Sequence, residues 1–357
     1  MSHTADRPAL IEFIRAGARD YSDRARKAGK FGQVPEPEPA KNLFTIHSAR
    51  KWMELEKNTP RPNTLFGEFW YQGELCILFA DTNAGKSILA VQIGNNLAGR
   101  LQMDPFGVEA PELSVVYVDF ELTARQFQAR YTHNEVGFDF NTGFYRAEYD
   151  PAADMPFDFK NYDEYVNSAI EYLVKAAKAN VLIIDNITCL RSGTEYAANA
   201  LPLMKHLKAL KTKYQLSVLV LAHTPKRNPA RPITRNDLQG SKMLINFCDS
   251  AFAIGQSQQA TDLRYLKQVK QRTSREVYGE DHVCLFRIVK PLNFLKFEFA
   301  GYAQEREHLF RALSINREET IARVMALHAE GLSQRQISAR LNISLATVNR
   351  MLKIEAE

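Results

Sequence analysis

A small residue, four further residues and then Gly-Lys-Ser form the pattern with the clearest chemical meaning in this sequence. The pattern follows an apolar run at 76–79 and leads into apolar residues at 89–93, so it stands where a buried strand turns into a helix. Backbone N–H groups in such a turn, together with the helix N-terminus, surround phosphate oxygens. We therefore predict a loop that binds ATP, formed by Ala80, Asp81, Thr82, Asn83, Ala84, Gly85, Lys86 and Ser87. An ordinary glycine turn with a surface lysine is the alternative.

The phosphate loop supplies one of two predicted Mg²⁺ ligands. Lys86 would neutralise phosphate charge, while the Ser87 hydroxyl would ligate Mg²⁺. A second ligand is expected at Asp185, because it ends the apolar run 181–184 and an ionised carboxylate there is costly unless it meets a cation. The alternative role for Asp185 is to cap the turn that follows.

Hydrolysis also needs a base for the attacking water, and Glu121 is the candidate. The apolar run 115–118 ends in Asp119-Phe120-Glu121, and alternation along a strand places both carboxylates on one face. Glu121 is preferred because it lies farther towards the open end, where it can orient and deprotonate water. The alternative is that Glu121 caps a helix that begins near Thr123.

A third apolar run, 217–222, ends in His223, which can hydrogen-bond a phosphate or the water and report its presence. The loop that follows is rich in basic residues and proline. It predicts contacts with a nucleic-acid backbone, although a solvated surface loop is an equal alternative. The candidate DNA-binding residues of this region are Lys226, Arg227, Arg231, Arg235 and Lys242.

The C-terminal residues predict a helix-turn-helix made of three short helices, at 320–330, 334–341 and 345–353. Gly331 closes the first helix and Ser333 caps the second. A bundle that docks a protein is the alternative, because the charge of the segment is nearly balanced. The side chains of the last helix that suit phosphates and base edges are Thr347, Asn349, Arg350 and Lys353.

The elements that would position these residues predict an α/β fold. Strands at 74–79, 114–119, 181–185 and 217–222 alternate with helices at 162–178 and 197–214, which is typical of a parallel sheet covered on both faces. Later strands, at 250–254, 263–270, 282–289 and 293–299, follow one another with little helix between them. We interpret them as an antiparallel extension of the sheet.

The N-terminal part differs in character from the strand-and-helix region. A helix is expected at 9–30, and the proline-glutamate run at 35–39 would be a semi-rigid linker. The N-terminal segment could dock on a neighbouring subunit or remain a loosely ordered tail. A further short helix is predicted at 49–56. The expected organisation is an N-terminal segment (1–42), an ATPase domain (43–312) and a helix-turn-helix domain (313–357).

Composition limits the class of protein. A chain of 357 residues with 45% hydrophobic and 24% charged residues fits a globular protein with one large domain and small additions. We expect a cytoplasmic location, because no apolar run approaches the roughly 20 residues that span a bilayer. The net charge of +5 permits nucleic-acid binding without establishing it. Scattered cysteines favour buried thiols over a zinc site.

Together these residues resemble the RecA-like family of motor ATPases, especially the hexameric replicative helicases of the DnaB and plasmid RepA type. The resemblance covers roughly residues 65–299 and includes the phosphate loop, the strands before Glu121 and Asp185, and the runs 221–226 and 238–242. It implies a homo-oligomer, with a hexamer expected, in which the nucleotide lies between subunits. The C-terminal segment resembles the helix-turn-helix of resolvases.

The same resemblance implies that one subunit supplies basic residues to the site of the next. Lys270 and Arg272 match the Lys-x-Arg spacing of these helicases, although Thr273-Ser274 stands where a glycine often follows. An arginine in that role stabilises transition-state charge. The alternative is that Lys270 and Arg272 alternate on an exposed strand face.

Three functions remain open from the sequence. The first is a helicase-like, ring-forming ATPase that acts on DNA. Single-stranded DNA would lie in the ring channel, and the C-terminal helices would hold duplex DNA. The resemblance implies a role in plasmid or mobile-element replication or mobilisation. The second is a regulatory ATPase that assembles with ATP and recruits DNA or a recombinase without unwinding. The third is a DNA-binding assembly protein that nucleotide only stabilises.

Overall fold

The structure is a computed structural model that describes residues 45–187, 197–238, 242–310, 317–341 and 343–353. Contacts divide the chain into two units, Met1–Arg61 and Pro62–Glu357. The expected N-terminal helix and proline-glutamate linker lie outside the described residues. In the first unit, the predicted helix α1 (Ala49–Glu56) is present, and its first turn is capped by Ser48, whose hydroxyl accepts the N–H of Lys51 at 3.2 Å.

The second unit is built on a mixed sheet with two short ribbons beside it. In chain order, the strands of this unit within the described residues are β1 (Thr64–Phe66), β2 (Trp70–Tyr71), β3 (Leu75–Ala80), β4 (Val115–Asp119), β5 (Thr132–His133), β6 (Val136–Gly137), β7 (Phe144–Glu148), β8 (Val181–Asp185), β9 (Ser217–His223), β10 (Ser250–Gln256), β11 (Leu263–Lys270), β12 (Val283–Val289) and β13 (Lys296–Ala303). Strands β1 with β2 and β5 with β6 form the separate ribbons. The others form one sheet in the order β13-β12-β11-β10-β3-β9-β8-β4-β7.

The helices of the second unit cover both faces of this sheet or form the C-terminal group. In the described residues they are α2 (Lys86–Gly99), α3 (Ala124–Arg130), α4 (Tyr162–Ala176), α5 (Ala197–Tyr214), α6 (Lys242–Phe247), α7 (Arg317–Ala329), α8 (Gln334–Leu341) and α9 (Leu345–Lys353). None of the helices in the described ranges has the length and apolar character needed to cross a bilayer. The predicted α/β class is confirmed.

Strand alternation explains how one sheet supports two cores. In β3, Leu75, Ile77 and Phe79 pack in one buried cluster with α4 and α5, while Cys76 and Leu78 pack in the other with α2. Every residue of β3, β4 and β8 is buried, as expected for parallel strands covered on both faces. Cys76, Cys248 and Cys284 are buried free thiols, and Cys189 lies outside the described residues.

The predicted antiparallel extension is also confirmed. Strand β10 runs parallel to β3, and β11, β12 and β13 then alternate in direction. Strand β7, a parallel edge strand beside β4, was not predicted from the sequence. Its residues are only partly buried, so the continuous apolar run that marks the central strands is absent from it.

The C-terminal helices form a small hydrophobic core of their own. Val324, Ile337 and Val348, one from each of α7, α8 and α9, are fully buried. The hydroxyl of Ser333 accepts the N–H of Gln336, and that of Ser344 accepts the N–H of Thr347 at 3.1 Å, so both later helices begin with a side-chain cap. The predicted three-helix arrangement is therefore present.

A buried ion pair joins the extension of the sheet to the loop after β9. Glu305 is fully buried and accepts hydrogen bonds from Lys267 Nζ at 2.5 Å, Ile233 N at 2.7 Å and the Tyr265 hydroxyl at 3.2 Å. Removing one partner of a buried pair leaves an uncompensated charge. We expect Glu305→Ala to lower the free energy of unfolding by about 3–5 kcal/mol, measured by urea denaturation.

An exposed ion pair gives the control for this prediction. Asp262 accepts two hydrogen bonds from Arg287, at 2.9 and 2.8 Å, but both side chains remain largely in solvent. Asp262→Ala should therefore leave the urea midpoint close to that of the wild type. Similar midpoints for the Glu305 and Asp262 variants would show that Glu305 contributes no more than a surface pair.

Candidate active site

The phosphate loop connects β3 to α2 in a conformation that requires glycine at its end. Gly85 has φ of +102°, and a Cβ atom there would lie 2.9 Å from the Phe297 ring and 3.0 Å from Ile288. The tip of the β12–β13 hairpin thus packs directly on the loop. The first N–H groups of α2 have no partner within the helix, which makes this end suitable for phosphate oxygens.

Lys86 is 6% exposed and lies in the loop it is expected to serve. Its Nζ donates to the carbonyl oxygens of Ala80 at 3.0 Å and Asp81 at 3.1 Å, and it lies 3.1 Å from His223 Nδ1. Burial lowers the pKa of Lys86, while the carboxylates of Asp185, Glu121 and Asp81 oppose this shift. An ammonium group surrounded in this way is placed to compensate phosphate charge.

The register of the sheet explains why distant parts of the sequence meet at this loop. Ala80 pairs with His223 across β3 and β9, and Asp119 pairs with Asp185 across β4 and β8. Since β3, β9, β8 and β4 are consecutive in the sheet, their carboxyl ends form one edge. Open α/β sheets place ligands at that edge.

Asp185 fits a cation site. It is 1% exposed, its Oδ2 accepts the Tyr117 hydroxyl at 2.6 Å, and its Oδ1 is buried with no hydrogen-bond partner among the described residues. Burial raises the pKa of Asp185 to about 6, against the lowering effect of the Ser87 and Tyr117 hydroxyls. A buried carboxylate oxygen near a serine hydroxyl is a donor set that Mg²⁺ accepts, with phosphate and water completing its coordination. Ser87 and Asp185 would hold that ion.

Asp119 and Glu121 have different tasks although they share a strand tip. Asp119 is buried, and its Oδ1 accepts the N–H groups of Glu121 at 3.0 Å and Leu122 at 2.9 Å, while its Oδ2 accepts Arg146 Nε at 2.9 Å. Asp119 is thus committed to shaping the turn. Glu121 is left as the carboxylate that a water molecule can reach.

Glu121 does not cap the following helix. The hydroxyl of Thr123 caps α3 by accepting the N–H of Gln126, so this alternative for Glu121 is wrong. Instead Glu121 Oε1 lies 3.3 Å from His223 Nε2 and accepts a hydrogen bond from Asn186 Nδ2. The hydrogen bond with His223 is the main cause that lowers the pKa of Glu121, against the effect of burial. A carboxylate that stays ionised at neutral pH can accept a proton from water.

His223 connects the loop to the carboxylate. Its Nδ1 faces Lys86 and its Nε2 faces Glu121 and Asn186, so a change at the phosphate would reach the strand tip through one ring. Directly after it, the Thr224 hydroxyl donates to Asp81 of the phosphate loop. The structure therefore brings together the residues predicted for phosphate, metal, base and sensor.

The basic residues after β9 are divided between internal and exposed roles. Arg227 is mostly buried, lies 3.7 Å from Asp81 and donates to the Arg231 carbonyl at 2.9 Å. Lys226, Arg231 and Arg235 are exposed, although Arg235 Nε also donates to the Val269 carbonyl at 2.7 Å. The side chain of Lys242 lies outside the described residues.

In the last helix, the predicted DNA-contacting side chains have mixed exposure. Asn349 and Arg350 are exposed, and the Thr347 hydroxyl lies 2.7 Å from that of Ser344. The side chain of Lys353 lies outside the described residues. Two of the four candidates are thus open to a partner without rearrangement.

Lys270 and Arg272 lie away from the phosphate loop of their own chain. Lys270 pairs with Ala251, which pairs with Ile77, three residues before Ala80, so Lys270 lies about 10 Å back from Ala80 along the strand direction and two strands away from it across the sheet. Lys270 Nζ donates to carbonyl oxygens at 245, 246 and 248. Arg272 donates to the Asn246 carbonyl at 2.7 Å and is about half exposed. Neither residue joins the cluster of side chains around the phosphate loop of the chain.

Several contributors to the site were missed from the sequence. Tyr117 and Asn186 contact Asp185 and Glu121, respectively, and Arg264 Nε donates to the Ala84 carbonyl at 3.1 Å within the phosphate loop. A polar residue directly after the buried run 181–185 was the available signal for Asn186. Arg264 gave no local signal, because its contact depends on the pairing of β10, β11 and β3.

Two protein families match this chain. The family described as AAA domain matches residues 42–229, which include the phosphate loop and all four strand tips of the site. The family described as Homeodomain-like domain matches residues 316–355, which include α7, α8 and α9. No curated protein matches the sequence significantly.

Proposed function

The chain belongs to the AAA domain family through residues 42–229, and on this premise we propose that it is an ATP-hydrolysing, ring-forming, helicase-like motor that acts on DNA. One observation carries the proposal: Lys86, Asp185, Glu121 and His223 meet at the carboxyl ends of four adjacent strands. A loop that only bound nucleotide would not need a base and a sensor beside it.

The chemistry follows from the roles of these side chains. Lys86 and the loop N–H groups hold the phosphates, and Mg²⁺ held by Ser87 and Asp185 would neutralise charge there. Glu121 orients a water molecule and accepts its proton as the new oxygen–phosphorus bond forms and the bond to the ADP oxygen breaks. His223, in contact with Lys86 and Glu121, responds to loss of the γ-phosphate.

Ring formation is proposed from the location of Lys270 and Arg272. They lie towards the opposite end of the strands, so they cannot contact a nucleotide bound by the phosphate loop of their own chain. They can contact a nucleotide bound by a neighbouring subunit whose phosphate loop lies against that end. A homo-hexamer is the assembly that the resemblance to replicative helicases implies. Within it, we assign the ATPase domain to 43–312 and the helix-turn-helix to 313–357, after an N-terminal segment at 1–42.

DNA is proposed as the partner in two ways. The homeodomain-like match supports duplex binding by the C-terminal helices, where Asn349 and Arg350 are exposed. The exposed Lys226, Arg231 and Arg235 would contact single-stranded DNA in the ring channel. A role in plasmid or mobile-element replication or mobilisation follows from the resemblance alone.

A second function is favoured by the same C-terminal helices. A regulatory ATPase would assemble with ATP and use the helix-turn-helix to select DNA or recruit a recombinase, without unwinding. Such a protein needs the hydrolytic site but no strand displacement.

The test is ATP turnover with and without single-stranded DNA, followed by strand displacement on a forked duplex. We expect DNA to stimulate ATP turnover by the wild type, and we expect the wild type to displace the strand. Glu121→Gln should show neither stimulated turnover nor strand displacement. Stimulation without displacement supports the regulator. Negligible turnover by the wild type with retained nucleotide binding supports an assembly protein, and particle mass with and without nucleotide then tests assembly itself.

A further inference from the structure

The residue directly after Asp185 lies between the proposed base and the proposed sensor. Asn186 is 1% exposed, its Nδ2 donates to Glu121 Oε1, and it lies 3.0 Å from His223 Nε2. None of the roles assigned above involves this amide.

Sheet order explains why this position reaches both neighbours. Strand β8 lies between β4, which leads to Glu121, and β9, which ends in His223. The first residue beyond β8 therefore stands between the other two strand tips. A buried amide is costly unless its polar atoms are bonded, so this position favours a side chain whose N–H the Glu121 carboxylate accepts.

The contacts on Glu121 are unevenly distributed between its two oxygens. Asn186 and His223 both approach Oε1, and no described residue bonds Oε2. The pKa of Glu121 is lowered, and a hydrogen bond to an ionised carboxylate is stronger than one between neutral groups. Fixing one oxygen limits rotation of the carboxylate and leaves the other for water.

We propose that Asn186 is a positioning residue that holds Glu121 in the orientation needed for hydrolysis. The inference rests on the proposed ATPase function. Asn186 acts through Glu121 and touches neither water nor phosphate in this role. Its contribution therefore belongs to kcat, while the phosphate loop continues to determine nucleotide affinity.

The test compares Asn186→Ala and Asn186→Asp in the full chain. Loss of the amide should lower kcat by about 100-fold, because a small misplacement of a catalytic group has an effect of this size. Asn186→Asp keeps the shape of the side chain but replaces the donor with a second negative charge, so kcat should fall at least as far. In both variants KM and the affinity for a fluorescent ATP analogue should stay within about twofold of the wild type.

Asn141→Ala is the matched control. Asn141 is a partly buried asparagine, and its amide donates to the carbonyl of Asn95 at 3.0 Å, away from the strand tips. This variant should keep the wild-type kcat even if its melting temperature falls. A similar loss of kcat in the Asn141 and Asn186 variants would indicate general destabilisation and overturn the proposal.

A double-mutant cycle separates positioning from a merely structural role. In a Glu121→Gln background, followed by phosphate release with enzyme in excess, Asn186→Ala should cause no further loss, since the group it positions is already absent. The same fold loss in both backgrounds would overturn the proposal, as would an unchanged or raised kcat in Asn186→Ala. If instead the wild type fails to turn over ATP, or Glu121→Gln retains full turnover, it is the proposed ATPase mechanism that fails.

Discussion

Lys86→Ala is expected to lower ATP turnover by at least about 10²–10³-fold, the range found when a preorganised charge-stabilising group is removed. Lys86 Nζ is buried between two loop carbonyl oxygens and His223, and this position gives phosphate charge a cation that solvent does not screen. Alanine would leave the loop without that charge. Phosphate release at saturating ATP measures the effect.

A second measurement separates lost binding from lost chemistry. Nucleotide that binds only the folded state raises the melting temperature, so the wild type should melt at higher temperature with ATP and Lys86→Ala should not respond. Lys51→Ala, which changes an exposed lysine of α1, is the control and should behave as the wild type. Full turnover by Lys86→Ala would remove the basis for the whole site assignment.

Arg272→Ala is expected to lower turnover by about 10³-fold or more while nucleotide affinity stays near that of the wild type, since an arginine supplied across an interface acts on transition-state charge. The half-exposed guanidinium lies beyond the end of β11, away from the phosphate loop of its own chain. Arg275→Ala changes an exposed arginine three residues later and should retain turnover. Steady-state kinetics and analogue binding measure the two quantities.

Mixing two inactive proteins tests whether the site is shared. An interface formed by the arginine face of a Glu121→Gln subunit and the phosphate loop of an Arg272→Ala subunit contains both functional groups. The mixture should therefore regain some turnover that neither protein has alone. If turnover stays absent although mass measurement shows mixed assemblies, the shared-site mechanism is excluded.

Local patterns predicted the central elements closely. The apolar runs before Asp185 and His223 predicted buried strands, and the observed strands β8 and β9 match their predicted positions within a residue. A capping residue likewise placed the start of α8, whose first turn is fixed by Ser333, whereas the cap that Ser344 provides to α9 was not predicted. These elements are determined by residues that are close in sequence, so they can be predicted from the sequence alone.

Predictions failed where partners in space decide the outcome. The edge strand β7 has no continuous apolar run, and it forms because β4 offers it free backbone groups. The start of β13 was predicted at 293 but lies at Lys296, because pairing with Val289 sets the end of the hairpin. The alternative that Glu121 caps α3 is also wrong, because Asp119 fixes the turn that brings Glu121 away from the helix and Thr123 provides the cap.

The sequence by itself determined the phosphate loop, because glycine, lysine and serine at that spacing between a strand and a helix have one common physical use. It also determined which carboxylates and which histidine end buried strands. Only the tertiary structure decided which of them meet: the order β3-β9-β8-β4 places His223 between Lys86 and Glu121, and it brings Asn186 to His223 and Glu121. Strand order depends on long-range packing, which no local pattern of residues encodes.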